Sequence, residues 1–210
     1  MPDNQNFVTP IPGVENLTYE QVNTIINFEK LWIEFVLWMR SFIRSSLYNL
    51  PDLTSVNVRV FQQLPRDFYN EFSNYFSPVD SQQFIDLFSR LLVRNWQLVN
   101  AYKSNDKTAI EASTIQWYQI ADELATFLAS VNKYWDVNKL KTMLYEYVQL
   151  KIQEITAFQE GKYDQETKLF DEVEEKAIQL ANYMAMGIIA NQSQPQPQTR
   201  CFWTGIKQVL

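Results

Sequence analysis

Acidic side chains recur along the chain in a pattern that is typical of a site inside a helical bundle. Four glutamates that we expect to face inward, Glu34, Glu123, Glu154 and Glu174, fall on four different predicted helices, and Asp171 precedes Glu174 by one turn. Carboxylates from facing helices bind pairs of iron or manganese ions in four-helix bundles, where two helices also supply Glu-x-x-His motifs. The chain contains no histidine, so an all-carboxylate magnesium or manganese site is the form that remains open. The alternative is that these are ordinary surface acids, one or two of them paired with an arginine such as Arg40 or Arg90.

The absence of histidine also narrows the catalytic chemistry. It excludes imidazole acid–base catalysis, Ser-His-Asp and Cys-His nucleophiles, and imidazole metal ligands. The four glycines are isolated, so no Gly-rich phosphate loop is present. We therefore predict no catalytic residue and no cofactor, and the sequence leans away from an enzyme.

Arg40 interrupts the most apolar stretch, LWIEFVLWMRSFI at residues 31–43. An arginine in such a run pairs with an acid across the bundle or extends to the bundle rim. The functional alternative is an arginine that recognises an anion. The run is too short and too charged to cross a membrane, because a window of about 18 residues drawn over it contains Glu29, Lys30, Glu34 and Arg40.

Apolar residues at helical spacing place Arg40 and the glutamates on long helices. We predict an all-α fold, an antiparallel up-and-down bundle of four or five helices with ferritin-like or haemerythrin-like architecture. Thr18 and Gln21 form a capping box that starts the first helix, and Pro51 ends it. Shorter helical pieces at 52–79, one of them starting at Pro65, are expected to cap the end of the bundle. The predicted long helices cover residues 19–50, 80–103, 107–131, 137–160 and 164–191.

The ends of the chain differ in composition from this bundle. Residues 1–17 read as an extended N-terminal arm, 18–191 as the helical domain, 192–200 as a Pro/Gln linker and 201–210 as a short apolar tail. The tail is either a partly ordered end or a docking peptide, for its own bundle or for a partner.

Charge and cysteine usage indicate the environment. The net charge of −6 argues against nucleic acid or an anionic membrane surface as a partner. A single cysteine, Cys201, allows no disulfide within the chain, and the N-terminus lacks a signal-peptide pattern. We therefore predict a cytoplasmic protein.

Several segments together resemble a family of small bacterial helical-bundle proteins that is common in Bacillus and Clostridium relatives. The resemblance covers roughly residues 28–190 and is carried by LWIEFVLWMRSFI (31–43), LPDL (50–53), WYQIADELATFL with VNKYW (117–135), MLYEYVQLKIQE (143–154) and FDEV…LANYMAMGI (170–188). It supports the bundle fold and admits a spore-associated location.

The resemblance also implies a lost site. The family pattern has histidines where this chain has Phe35, Leu91, Tyr147 and Glu174, an asparagine at Ile120 and an aspartate at Asn182. This chain keeps the residue of the family pattern at six other positions: Trp32, Trp38, Arg40, Trp117, Glu154 and Asp171. Most of the departures replace polar groups with apolar ones, and replacing a whole buried network in this way relieves the cost of unpaired members. The implied protein keeps the scaffold and has lost a polar or metal-binding core.

Two function classes remain open. The first is a non-catalytic structural or interaction protein, which binds a protein partner or associates with itself. The second is a metal- or small-ligand-binding bundle that uses Glu154, Asp171, Glu174 and Arg40.

Overall fold

The fold is a bundle of antiparallel helices, as the sequence predicts. The computed structural model describes residues 17–193, and within this range the chain is helical apart from short turns. The predicted arm (1–17), linker (192–200) and tail (201–210) lie almost entirely outside the described residues. The helices are α1 (Tyr19–Tyr48), α2 (Leu53–Val58), a π-helical turn (Arg59–Gln63), α3 (Leu64–Phe72), α4 (Pro78–Lys103), α5 (Lys107–Val131), α6 (Val137–Gln159) and α7 (Tyr163–Gln192).

Local signals in the sequence set the ends of the long helices. The capping box at the start of α1 is confirmed, because Thr18 Oγ1 accepts from the Gln21 N–H while the Gln21 side chain accepts from the Thr18 N–H. Asp136 caps α6 as predicted. The start of α4 was predicted at Asp80, but Ser77 is the N-cap and Asp80 lies inside the first turn, because Ser and Asp three residues apart form a capping pair of their own.

Residues 53–72 do not cap the bundle end, and this prediction was wrong. They form a continuous helical segment in which the Leu64 N–H bonds the Arg59 carbonyl five residues back. Proline lacks an N–H, and its ring conflicts with the carbonyl four residues earlier, so the wide turn before Pro65 lets the helix continue past it. The segment runs beside α1 and α4, where Arg59 binds Glu34 at 2.7 Å and the rings of Phe68 and Phe88 lie 4.5 Å apart.

Six segments therefore build the bundle within residues 17–193, each antiparallel to the next along the chain: α1, the α2–α3 segment, α4, α5, α6 and α7. Polar pairs between neighbouring helices show this order, and α7 returns to pack against α1. These pairs are Arg90–Glu123 for α4 and α5, Tyr145–Asp122 for α5 and α6, Lys176–Glu146 for α6 and α7, and Arg40–Glu166 for α1 and α7.

An aromatic cluster occupies the centre of the bundle. Phe35 has no exposed surface, and its ring centroid lies 5.4 Å from Trp32, 5.2 Å from Phe88 and 5.6 Å from Tyr147. The apolar run at 31–43 therefore supplies the middle of the core, as its composition predicts. Among the helices of the described range, none has the length and apolarity that crossing a bilayer requires.

Candidate functional site

The positions implied to have lost a polar site are packed in the core, with one exception. Phe35, Leu91, Ile120 and Tyr147 are between 0% and 3% exposed. Glu174 is only half-buried and lies outside this aromatic cluster. Largely apolar side chains therefore meet at the place where the resemblance implies a polar interior in the related proteins.

The candidate metal ligands do not converge. Glu34 binds Arg59 at 2.7 Å, Glu123 binds Arg90 at 2.6 Å on the opposite part of the bundle, and Asp171 is exposed. Among residues 17–193, no three His, Cys, Asp or Glu side chains are grouped so as to hold a metal ion. These acids act in the structure as partners of arginines or as surface charges.

Glu154 is the one candidate acid that is fully buried, and its partner is Lys151 one turn earlier on α6. Both side chains have no exposed surface, and the Lys151 ammonium donates to Glu154 Oε2. Burial raises the pKa of the Glu154 carboxyl, an effect that the neighbouring Lys151 charge opposes. The remaining Glu154 oxygen, Oε1, has no partner among the described residues.

Arg40 forms a second charged pair close to the first. Its Nε and Nη2 donate to the two carboxylate oxygens of Glu166 on α7, at 2.6 and 2.7 Å. The guanidinium also lies 4.4 Å above the ring of Phe170. Glu166 is nearly buried, whereas about a third of the Arg40 side chain (32%) is exposed. The hydrogen bonds to Glu166 raise the pKa of Arg40; partial burial opposes this effect, and the charges of Glu166 and Glu154 add to it.

Sequence reasoning missed Lys151, Asn95 and Glu166, although the pattern contains a signal for each. Lys151 follows Tyr147 by four residues, and Asn95 follows Leu91 by four, so both lie on buried stripes of their helices. A polar residue at a core position is the informative exception to an apolar pattern. Glu166 precedes the buried Phe170 by the same spacing.

A groove of about 830 Å³ opens beside the Arg40–Glu166 pair, between α1 and the α6–α7 turn. Apolar and aromatic side chains alternate with polar ones along its walls, and its charged residues are the cations Arg40 and Arg44 and the acids Asp52 and Glu166. The volume lies in the range of ligand pockets, about 300–1,000 Å³. Its lining includes Leu37, Trp38, Tyr48, Phe158 and Tyr163.

The groove continues one face of α1 that the other described helices leave open, except at Tyr48, whose hydroxyl donates to the Phe158 carbonyl of α6 at 2.6 Å. We call this face the α1 outer stripe, and it consists of residues three or four positions apart, which therefore lie on one side of the helix. It contains six apolar residues, two cations and one serine, but no acid. The stripe is Tyr19, Val22, Ile26, Lys30, Ile33, Leu37, Ser41, Arg44 and Tyr48.

No family model, curated protein or solved structure matches the chain. The resemblance to the Bacillus- and Clostridium-type bundle family stays a prediction.

Proposed function

We propose that this protein is a non-catalytic interaction protein that binds an amphipathic helix of a protein partner along the α1 outer stripe. The helix would carry apolar residues on one face and acidic residues beside them. The observation that supports this best is a long, largely apolar stripe with cations and no acids, which the described helices leave open from Tyr19 to Arg44.

The apolar part of the stripe is unusually exposed for its residue types. Tyr19 is 81% exposed, Ile26 52% and Leu37 43%. Single exposed apolar residues are normal on protein surfaces, but a contiguous apolar patch rimmed by polar groups marks an interaction surface. From Tyr19 to Tyr48 the stripe extends about 44 Å along the helix, which suits a helical partner better than a compact small molecule.

Charge on the stripe selects the chemistry of the partner. Lys30 is 71% exposed and approaches Glu34 only at 3.9 Å, and Arg44 is exposed. The protein as a whole carries a net charge of −6, so two cations on an acid-free stripe run against its overall charge. Complementary charges steer association and fix the register of partners. The matching helix carries acids about 14 residues apart, like Lys30 and Arg44, or about 21 Å.

The groove gives this surface an anchor point. Leu37, Ser41, Arg44 and Tyr48 belong both to the stripe and to the groove lining. Helix-in-groove recognition places apolar side chains of the partner in such a depression at positions i, i+3, i+4 and i+7. We therefore expect a large apolar side chain of the partner helix to enter the groove between Leu37 and Tyr48.

The state of the candidate metal ligands favours a protein that binds a partner over one with a metal-dependent activity. Glu34, Glu123 and Glu154 each bind a cationic side chain, so their carboxylates are already engaged. The second candidate function, a metal or small ligand bound by core carboxylates, is favoured by one observation, the unpartnered Oε1 of Glu154. Metal analysis of the purified protein tests it, since stoichiometric iron, manganese or zinc would support this function over ours.

A pair of designed peptides tests the interaction. One is a fluorescein-labelled amphipathic helix of about 20 residues with leucines on one face and two glutamates spaced to match Lys30 and Arg44. The other has lysines in place of these glutamates. We expect the acidic peptide to bind at least tenfold more tightly by fluorescence anisotropy at low salt, and added salt to reduce the difference, because screened charges contribute less.

Matched variants locate the binding site. Leu37→Asp should weaken binding of the acidic peptide, whereas Ile115→Asp, at a similarly exposed apolar position on α5, should not. Equal binding of both peptides, or equal effects of both variants, would refute the proposal. Binding by a chain ending at Ser193 but not by the full chain would mean that a terminal segment of this chain is the occupant. Concentration-dependent dimerisation that Leu37→Asp abolishes would instead assign the stripe to a second copy.

A further inference from the structure

Eight side chains of residues 17–193 carry buried polar atoms without a protein partner in that range, and four of these lie at neighbouring levels of α4, α5 and α6. They are both amide atoms of Asn95, the indole Nε1 of Trp117, the hydroxyl of Tyr147 and Oε1 of Glu154. All four residues are between 0% and 3% exposed. Buried polar groups in native proteins are almost always hydrogen-bonded to protein or to ordered water, so this set requires an explanation.

The four residues lie at neighbouring levels of the bundle. The rings of Trp117 and Tyr147 are 6.4 Å apart. The Tyr102 and Thr156 hydroxyls are joined by a hydrogen bond of 2.9 Å, which fixes the register between the parallel helices α4 and α6. Asn95 is seven residues before Tyr102 on the same face of α4, so it lies level with residue 149, between Tyr147 and Lys151.

The chemistry of these groups selects the kind of molecule that they hold. Trp117 donates, Glu154 Oε1 accepts, and Asn95 and Tyr147 do both. Burial and the charge of Glu154 raise the pKa of Tyr147 well above its ordinary value, so its hydroxyl keeps its proton and can donate. Lys151 balances the charge of Glu154, and an added ion would leave an uncompensated charge in the core. A neutral molecule with both donors and acceptors fits.

We propose that the bundle binds internal water between α4, α5 and α6, held by Asn95, Trp117, Tyr147 and Glu154. A buried water makes two to four hydrogen bonds to otherwise unsatisfied groups. The donors and acceptors of these four residues are enough to bind more than one water. The water links the amide of Asn95 to the carboxylate of Glu154 and so makes the polar residues of the core into one network.

The sign of a stability change tests the inference. If water bonds the Tyr147 hydroxyl, Tyr147→Phe removes those bonds, and the unfolding equilibrium constant from urea titration should rise roughly three- to tenfold. If the hydroxyl is a dry orphan, the same substitution relieves a desolvation penalty and makes the protein unfold at a higher urea concentration. Asn95→Leu should shift the midpoint in the same direction as Tyr147→Phe.

Two further measurements complete the test. Tyr102→Phe removes a hydroxyl with a known protein partner and gives the scale for one lost hydrogen bond. A high-resolution crystal structure should show ordered water about 2.7–3.2 Å from polar atoms of at least two of the four residues. A Tyr147→Phe variant that is as stable as the parent chain or more stable, or a crystal structure with dry contacts at this place, overturns the inference. Should Asn95→Leu fail to fold, the Tyr147→Phe comparison and the crystal structure still decide.

Discussion

At the scale of single residues, the polar groups inside the bundle are the features that the sequence only partly reveals. Arg40 is conspicuous because it interrupts an apolar run, so its need for an acidic partner could be predicted. Its partner, Glu166, could not be identified, because it lies in the first turn of α7 beside Asp164, and acids are common there for reasons of the helix dipole. Only the packing of α7 on α1 shows that Glu166 is buried while Asp171, one of the candidate metal ligands, is exposed.

Arg40→Lys should destabilise the protein by about 1–3 kcal/mol, because lysine cannot bond both oxygens of Glu166 or stack on Phe170 in the same way. Arg90→Lys is the matched control, since Arg90 also donates two hydrogen bonds to one carboxylate, that of Glu123, but both side chains are about half exposed. An exposed pair contributes little, so this control should change stability by less than about 1 kcal/mol. Chemical denaturation measures both, and equal losses would contradict the role assigned to the buried carboxylate.

Replacing Lys151 alone should destabilise the protein, whereas replacing Lys151 and Glu154 together should restore most of the lost stability. Lys151→Met leaves a buried carboxylate unpaired and should cost about 3–5 kcal/mol, whereas the double variant Lys151→Met/Glu154→Leu should recover most of that loss. The pH dependence follows from the raised pKa of Glu154. The folded state holds this proton more tightly than the unfolded state does, so the stability of the parent chain should fall, relative to the double variant, as pH rises from the ordinary carboxyl range through the raised value. Urea titrations from about pH 4 to 8 measure this, and a constant difference would contradict the raised pKa.

At the scale of elements, several helix ends were predictable, but the start of α4 and the helical segment at 53–72 were not. The capping groups Thr18 and Asp136 act through bonds within four residues, so the sequence alone locates them, and α5 has the bounds that its periodicity predicts. The prediction for residues 53–72 was wrong because proline is common in the first turn of a helix, so the sequence places the start of a new helix at Pro65. Here a π-helical turn accommodates the proline, and this depends on packing against α1 and α4 that local patterns do not contain.

The close approach of α7 to Trp135 gives a test at this scale. A Cβ at Gly187 would overlap the Trp135 ring, whose Nε1 donates to the Met184 carbonyl at 3.2 Å. Gly187→Ala should therefore displace the indole, change the tryptophan fluorescence and destabilise the fold by about 1–3 kcal/mol. Gly161→Ala serves as the comparison: its Cβ meets nothing within 4 Å and only the positive φ of 69° opposes it, so fluorescence should stay unchanged. A normal spectrum for Gly187→Ala would argue against this packing.

At the scale of the whole molecule, fold class follows from composition and periodicity, but function does not. Long amphipathic helices with short turns leave few arrangements other than an antiparallel bundle. The α1 outer stripe was harder to foresee. The run at 31–43 is apolar almost all the way round, which indicates a fully buried helix, yet Leu37 is 43% exposed. Because α7 and the α2–α3 segment flank α1 without closing over it, one apolar face remains uncovered in the described range.

The packing of α1 against α7 means that the bundle cannot finish folding until the last helix has been synthesised. Most contacts join helices adjacent in sequence, which favours rapid folding of each hairpin as it leaves the ribosome. The α1–α7 contact is different. Glu29 and Arg40 on α1 cannot form their hydrogen bonds until Asn182 and Glu166, more than a hundred residues downstream, have been synthesised. At about 5–20 residues per second, α1 spends several seconds as a nascent helix with two uncovered faces. That interval is the step at which assembly of this protein is most open to misassociation and to assistance by chaperones.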